Sequence, residues 1–105
     1  MLNTVRKQAE TLEWTEMIGD DTDPINQMKF AICQDFIGLQ AQINITQVKL
    51  AEIVGVNRSR INDIIHCRFR LFSLETLICY LLKLEGMSPR IDKRISDIKL
   101  LTRLS

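Results

Sequence analysis

The spacing of apolar residues restricts the fold of this chain most strongly. After Asp23 and Pro24, a typical helix start, apolar side chains follow at steps of three and four: Ile25, Met28, Ile32, Phe36, Leu39 and Ile43. Three shorter apolar segments come next, each behind a residue that favours a helix N-terminus: Thr46, Asn57 and Ser73. This pattern predicts an all-α fold, a compact domain of four or five helices.

The chain of 105 residues has the length of one domain, and 46% hydrophobic and 26% charged residues are typical of a globular protein. The sequence predicts that residues 1–23 form an acidic N-terminal extension with a helix. In this extension, Trp14 and Met17 either anchor a partner or pack against the domain. Residues 89–105 fit a helix or an extended segment. We therefore place the domain at residues 24–88 and treat residues 89–105 as a candidate dimerisation element.

Charge is distributed unevenly along the chain. Fourteen Lys and Arg residues against thirteen Asp and Glu residues give a net charge of only +1. Residues 1–24 contain two basic and six acidic residues, a balance of −4, whereas residues 43–72 contain five basic and two acidic residues, a balance of +3. This asymmetry favours an anionic partner for the middle of the chain.

Residues that usually carry catalysis or bind metals are sparse. Cys33, Cys67 and Cys79 are widely spaced and His66 is the only histidine, so we expect no metal site. Without a nucleophile motif or a Gly-rich phosphate loop, we expect neither an enzyme nor a cofactor. We interpret Cys33 and Cys79 as small core residues of a reduced chain in the cytoplasm. No signal peptide is expected, because Arg6, Lys7 and Glu10 interrupt the N-terminal segment. No membrane segment is expected, because the longest apolar run spans only residues 77–82.

The most informative motif is TQVKLAEIVGVNRSRINDII at residues 46–65. Ala51 is small where a first helix must pass close to a second, and Gly55 suits the left-handed end of a helix. Ile61 and Ile64 would pack the second helix back on the first. The segment predicts two short helices joined by a tight turn, and it resembles the helix-turn-helix of DNA-binding repressors.

In such a motif the exposed side of the second helix reads bases in the major groove. With Ile61, Ile64 and Ile65 facing the core, the residues predicted to contact bases are Arg58, Ser59, Arg60, Asn62 and His66. For His66 a plain surface or loop position is the alternative, and it is the one that we favour. For Asp63 we favour an ion pair with Arg60, three residues earlier on the same helix. The residues predicted to contact phosphates are Gln47, Lys49, Arg68, Arg70 and Ser73.

The resemblance covers roughly residues 25–88. A basic loop followed by FSLETL at residues 72–77 is similar to one branch of the lambda-repressor/Cro-like (XRE-type) helix-turn-helix family. That branch includes the HigA-type antitoxins of toxin–antitoxin modules and small phage or plasmid regulators. The resemblance implies a helical domain, usually a homodimer, that represses its own operon by binding an inverted repeat in double-stranded DNA. Cys67 departs from the family, which usually has glycine at this position.

Two functions remain open from the sequence. The first is a sequence-specific transcriptional repressor that binds operator DNA as a homodimer. The second is a protein-interaction module that sequesters a toxin or another protein, with DNA binding secondary, and the near-neutral net charge is compatible with it. The acidic N-terminal extension fits either function, since it could dock on a basic toxin or mask DNA-binding residues.

Overall fold

The computed structural model describes residues 23–104, with side chains as far as Leu101. These residues form five α-helices, α1 (Pro24–Ile43), α2 (Gln47–Val54), α3 (Arg58–Ile65), α4 (Leu74–Leu82) and α5 (Pro89–Leu104), and a 3₁₀ turn (Phe69–Leu71) between α3 and α4. This part of the chain contains no strand, which confirms the predicted all-α fold. The helix predicted near the N-terminus, with Trp14 and Met17, lies outside the described residues.

The longest helix, α1, is the one against which α3, α4 and α5 pack. Asp23 caps its start, because Oδ1 accepts a hydrogen bond of 2.9 Å from the Ile25 N–H, and Pro24 occupies the first turn. Asn44, with a φ of 54°, ends it in the left-handed conformation. Ile25 and Ile43, predicted on the buried face, are exposed because they lie in the first and last turns of the helix.

One hydrophobic core joins the described helices. The 3₁₀ turn, α3, α4 and α5 all pack against α1, while α2 packs against α3. The completely buried large side chains are contributed by every one of these elements and by the turn after α4: Ile32, Phe36, Leu39, Leu50, Ile61, Ile64, Phe69, Leu77, Leu81, Leu84 and Ile91. Burial of each such side chain contributes roughly 1.5–3 kcal/mol to folding.

The region after α4 differs in detail from the prediction. Ser73 caps α4 as expected, but the helix ends at Leu82, four residues before Gly86, although glycine is the residue type expected at a helix C-terminus. Gly86 instead lies in the turn that leads to α5, with a φ of 87°, and its N–H donates a hydrogen bond of 2.7 Å to Oδ1 of Asp92. The left-handed glycine therefore lies within the connection between the two helices.

Residues 89–104 form a helix, so the extended alternative for this segment is wrong. Oγ of Ser88 accepts a hydrogen bond of 3.2 Å from the Ile91 N–H at its start. Ile91 and Ile95 lie in the common core, whereas Leu100 and Leu101 are more than half exposed. The first half of α5 is thus packed on the same core as the helices before it.

A buried carboxylate links α1 to α5. Asp35 is completely buried, and its two carboxylate oxygens accept hydrogen bonds from Nε of Arg90 at 2.8 Å and Nε of Arg94 at 2.6 Å. Gly38 lies one turn further along α1, where a Cβ atom would come within 2.6 Å of Nη1 of Arg90. The missing side chain at Gly38 makes room for this arginine.

The cysteines are all free, and their positions are only partly as predicted. Cys33 is a core residue, but Cys79 is exposed, so its assignment to the core is wrong. At about 100° per residue, Cys79 faces away from Leu77 and Leu81, which carry the buried side of α4. Within residues 23–104, none of the helices combines the length and the apolar character needed to cross a membrane.

Candidate nucleic-acid interface

A tight turn at Gly55 joins α2 to α3. The N–H groups of Gly55 and Val56 both donate to the carbonyl oxygen of Ala51, at 2.8 and 3.0 Å, and Gly55 has a φ of 83°. A Cβ atom at Gly55 would meet nothing within 4 Å, so the positive φ alone favours glycine there. Ala51, Ile61 and Ile64 are buried. The turn and the packing predicted from these four positions are confirmed.

Asn57 fixes the start of α3. Its Oδ1 accepts a hydrogen bond of 3.2 Å from the Arg60 N–H and one of 2.6 Å from the Ser59 hydroxyl. Because the Ser59 hydroxyl donates within this cap, only its oxygen lone pairs are available to a ligand. Arg58 is exposed, and its side chain has no hydrogen bond or ion pair with any residue that the structure describes. Its five N–H donors are available to an acceptor.

Asn62, in the second turn of α3, is less accessible than the first turn, and His66 follows the helix as its C-cap. His66 is exposed, and its Nδ1 lies 2.8 Å from the carbonyl oxygen of Asn62. Since a carbonyl only accepts, Nδ1 carries the hydrogen of this bond. Oδ1 of Asn62 is buried without a hydrogen-bond partner. A bidentate contact with adenine uses both ends of the amide, so Asn62 must rotate to make one.

Gln47 and Lys49 lie in the first turn of α2. Oγ1 of Thr46 caps this helix by accepting a hydrogen bond of 3.1 Å from the Lys49 N–H. The Lys49 ammonium is 3.6 Å from Oε2 of Glu52, and both side chains are well exposed. Such a surface pair contributes at most about 1 kcal/mol, so it does not compete strongly with a phosphate. Oε1 of Gln47 is buried without a partner.

Asp63 forms an ion pair, but with Arg68 and not with Arg60, so the predicted partner was wrong. Nη1 of Arg68 donates to Oδ1 of Asp63 at 3.0 Å, and the Arg68 N–H donates to the Asp63 carbonyl at 2.9 Å. The chain turns back after the last residue of α3, which brings Arg68 beside the end of the helix. The spacing of residues on a helix does not reveal this reversal of the chain. Helical spacing alone therefore gave Arg60 as the expected partner of Asp63.

The chain reverses its direction at Cys67, just after α3. The φ of 56° at Cys67 lies in the left-handed region, which glycine adopts without strain and other residues rarely adopt. The side chain is buried, and its Sγ accepts a hydrogen bond of 3.0 Å from Nε2 of Gln34. Burial raises the pKa of Cys67, against a smaller opposite effect of the Gln34 hydrogen bond. Burial also raises the pKa of Cys33 to about 12, and the nearby Cys67 is a second, smaller cause of this rise. Both groups are protonated thiols at neutral pH.

Two arginines lie on aromatic rings. Cζ of Arg60 is 5.4 Å from the ring centroid of Phe72, and Cζ of Arg70 is 4.7 Å from that of Phe69. Both rings are buried, and each contacts a further ring edge-on at 6.2 Å: Phe72 with Tyr80, and Phe69 with Phe30. Neither ring was predicted from the sequence to take part in the site, and Arg60 and Phe72 are brought together only by the fold. The one available signal was the interleaving of arginine and phenylalanine in R-F-R-L-F at residues 68–72.

Ser73, predicted to contact a phosphate, is engaged in capping α4. Its Oγ accepts a hydrogen bond of 3.1 Å from the Thr76 N–H and donates one of 2.8 Å to Oγ1 of Thr76. A phosphate at this helix start would therefore use the remaining backbone N–H groups more readily than the Ser73 hydroxyl.

The structure brings four of the predicted arginines to α3 and to the residues that follow it: Arg58, Arg60, Arg68 and Arg70. All four are exposed, and three are held by a ring or a carboxylate. Guanidinium groups match the acceptors of guanine and of phosphate in geometry and charge. Within residues 23–104, no group of three or more His, Cys, Asp or Glu side chains could hold a metal ion. Comparisons of the chain with protein-family models, with curated proteins and with solved structures find no match.

Proposed function

We propose that this protein is a sequence-specific DNA-binding transcriptional regulator of the lambda-repressor/Cro-like kind that its sequence resembles. One observation carries the proposal. The short helix α3 buries Ile61 and Ile64 on one side and exposes Arg58 and Arg60 in its first turn, beside the arginines of the following loop. A recognition helix needs this division between a packed side and a basic N-terminal turn.

The basic side chains divide into two roles in this proposal. Arg58 and Arg60 contact base edges, where a well-formed bidentate pair with guanine discriminates by about 1–3 kcal/mol. Lys49, Arg68 and Arg70 contact phosphates, which supplies affinity without sequence information. Ser59, Asn62 and His66 remain candidates for base contacts, although the hydroxyl of Ser59 and Oδ1 of Asn62 are less accessible than the arginines.

The regulator that we propose is a homodimer. One recognition helix reads only a few base pairs, so two copies of α3, about 34 Å apart, are needed to read an inverted repeat. Leu100 and Leu101 at the end of α5 are 56% and 55% exposed, and such side chains are available to a second copy of the chain. In the resembled family the dimer represses its own operon.

Selection from a library of randomised duplexes tests the proposal. The purified protein should enrich an inverted repeat whose half-sites are centred one helical turn, about 10 base pairs, or a multiple of it apart. A matched selection with Arg58→Ala should enrich a half-site with relaxed preference at one position. If the wild-type protein enriches no sequence over the starting library, the proposed function is wrong.

A protein-interaction module is the second candidate function, in which the chain sequesters a toxin, as HigA-type antitoxins do. The exposed leucines of α5 favour a protein contact, whether with a second copy or with another protein. Co-purification with a small basic ribonuclease encoded beside the gene, at a fixed stoichiometry, would support this role. A sharp operator preference in the absence of such a partner would support the regulator alone.

A further inference from the structure

We propose that Phe72 is a positioning residue for Arg60, and that its ring makes the Arg60 guanidinium a specific reader of a base. The inference rests on the proposed function, because it assigns to a buried aromatic residue part of the sequence specificity of α3. Phe72 itself need not touch DNA.

The contact between the two residues joins two separate elements. Arg60 lies in the first turn of α3, and Phe72 follows the 3₁₀ turn immediately before the cap of α4. Cζ of Arg60 is 5.4 Å from the centroid of the Phe72 ring, within the distance at which a cation is attracted by a ring face. On a helical wheel Arg60 lies at the edge of the exposed side of α3, beside the packed side. The ring therefore supports the arginine from the protein side and leaves its N–H donors for an acceptor.

The Phe72 ring is itself held firmly. It is only 4% exposed, and it packs edge-on against Tyr80 of α4 at a centroid distance of 6.2 Å and an interplanar angle of 78°. Its backbone N–H donates a hydrogen bond of 3.1 Å to the Phe69 carbonyl. A side chain fixed in this way provides a rigid surface for a flexible arginine.

Restriction of the Arg60 side chain matters for base reading. A free arginine loses much rotamer freedom when it binds, and an arginine already held on a ring loses less. A bidentate contact also needs the guanidinium plane in one orientation, which stacking on a ring restricts. Arg58 has no such support among the described residues. We therefore expect Arg60 to discriminate bases more sharply than its exposed neighbour.

Phe69 and Arg70 form a second pair of the same type, at 4.7 Å. Arg70 lies in the 3₁₀ turn and not on α3, so its ring should support a phosphate contact and affect affinity on all sequences alike. This difference in position makes Phe69 an internal comparison for Phe72.

The test uses Phe72→Leu in the full chain, with Phe36→Leu as a matched control. Phe36 is completely buried, and no arginine is recorded over its ring in the described residues. For each variant, the ratio of dissociation constants on a selected duplex and a scrambled duplex of equal length is measured, with thermal unfolding alongside. Phe72→Leu should lower the ratio roughly two- to fivefold, the range of an exposed cation–π contact, and Phe36→Leu should leave it unchanged. Phe72→Tyr, which keeps the ring, should restore the wild-type ratio.

The same substitution in an Arg60→Ala background shows whether Phe72 acts through Arg60. Phe72→Leu should then change the ratio no further. An equal loss on both duplexes, or a loss that persists without Arg60, would show a merely structural role and overturn the inference. A wild-type protein with no sequence preference would overturn the proposed function as well, whereas a preference that Phe72→Leu leaves intact would overturn this inference alone.

A measurement without DNA keeps the inference falsifiable even if Phe72→Leu does not fold. In the wild-type protein the side-chain protons of Arg60 should show an upfield ring-current shift in the NMR spectrum, and those of Arg58 should not. Arg60 signals at the positions of a solvated arginine would overturn the inference.

Discussion

Nε of Arg94 donates a hydrogen bond of 2.6 Å to Oδ2 of Asp35, a carboxylate that the fold buries completely. Arg90 binds the other oxygen, so both acceptors of the buried group are satisfied from α5. A buried charge is tolerated only when it is paired and hydrogen-bonded in this way. The last helix is thus attached to α1 by a specific polar contact in addition to Ile91 and Ile95.

Removal of both arginines should destabilise the protein strongly. The Arg90→Ala/Arg94→Ala variant leaves Asp35 buried and unpaired, which we expect to cost about 3–5 kcal/mol in the free energy of unfolding measured with urea. Lys99→Ala is the control, since Lys99 pairs with Glu85 at 3.8 Å on an exposed surface and should cost at most about 0.5 kcal/mol. Equal free energies of unfolding for the two variants would show that the buried contact of Asp35 with the two arginines does not stabilise the fold.

The cap of α3 should be needed for stability and for the position of this helix, which we propose reads bases. Asn57→Ala removes the acceptor of the Arg60 N–H and of the Ser59 hydroxyl, and we expect a loss of about 1 kcal/mol. Asn57→Asp keeps an acceptor and should cost much less. Equal losses for the alanine and aspartate variants in chemical denaturation would contradict the assigned role of the cap.

Alkaline pH should destabilise the protein through Cys33. Burial raises the pKa of Cys33 from 9.0 to about 12, so the folded state keeps a proton that the unfolded state releases. The resulting stabilisation is complete below pH 9 and is lost as the pH rises towards 12, by roughly 1–2 kcal/mol at about pH 10.5. Cys33→Ser lacks the titrating thiol. Its stability should fall less than that of the wild type between these pH values, and parallel pH profiles would contradict the prediction.

Two variants should distinguish the residues that read bases from the residues that bind phosphates. Arg58→Ala should weaken binding to a selected duplex by about tenfold or more and leave binding to a scrambled duplex almost unchanged. Lys49→Ala should weaken binding to both and reduce the slope of log K against log salt by about one. Competition titrations measure both effects. Equal losses for Arg58→Ala on the two duplexes would contradict its role in reading bases.

The elements of this fold are largely predictable from local patterns, because each is marked by its own cap and spacing. Thr46, Asn57 and Ser73 cap the helices that they were predicted to start, and Gly55 has the left-handed conformation expected of it. The contacts between distant residues are not predictable in this way. Asp35 meets α5 more than fifty residues later, and the ring under Arg60 comes from another element. Local propensity carries no information on such pairs.

A titration of the wild-type protein against a selected duplex and a scrambled duplex of equal length, at two salt concentrations, shows whether α3 reads bases. We predict a preference of a thousandfold or more for the selected duplex, together with a steep decrease of affinity as salt rises. Weak and equal binding to both duplexes would contradict the proposal that α3 is a recognition helix.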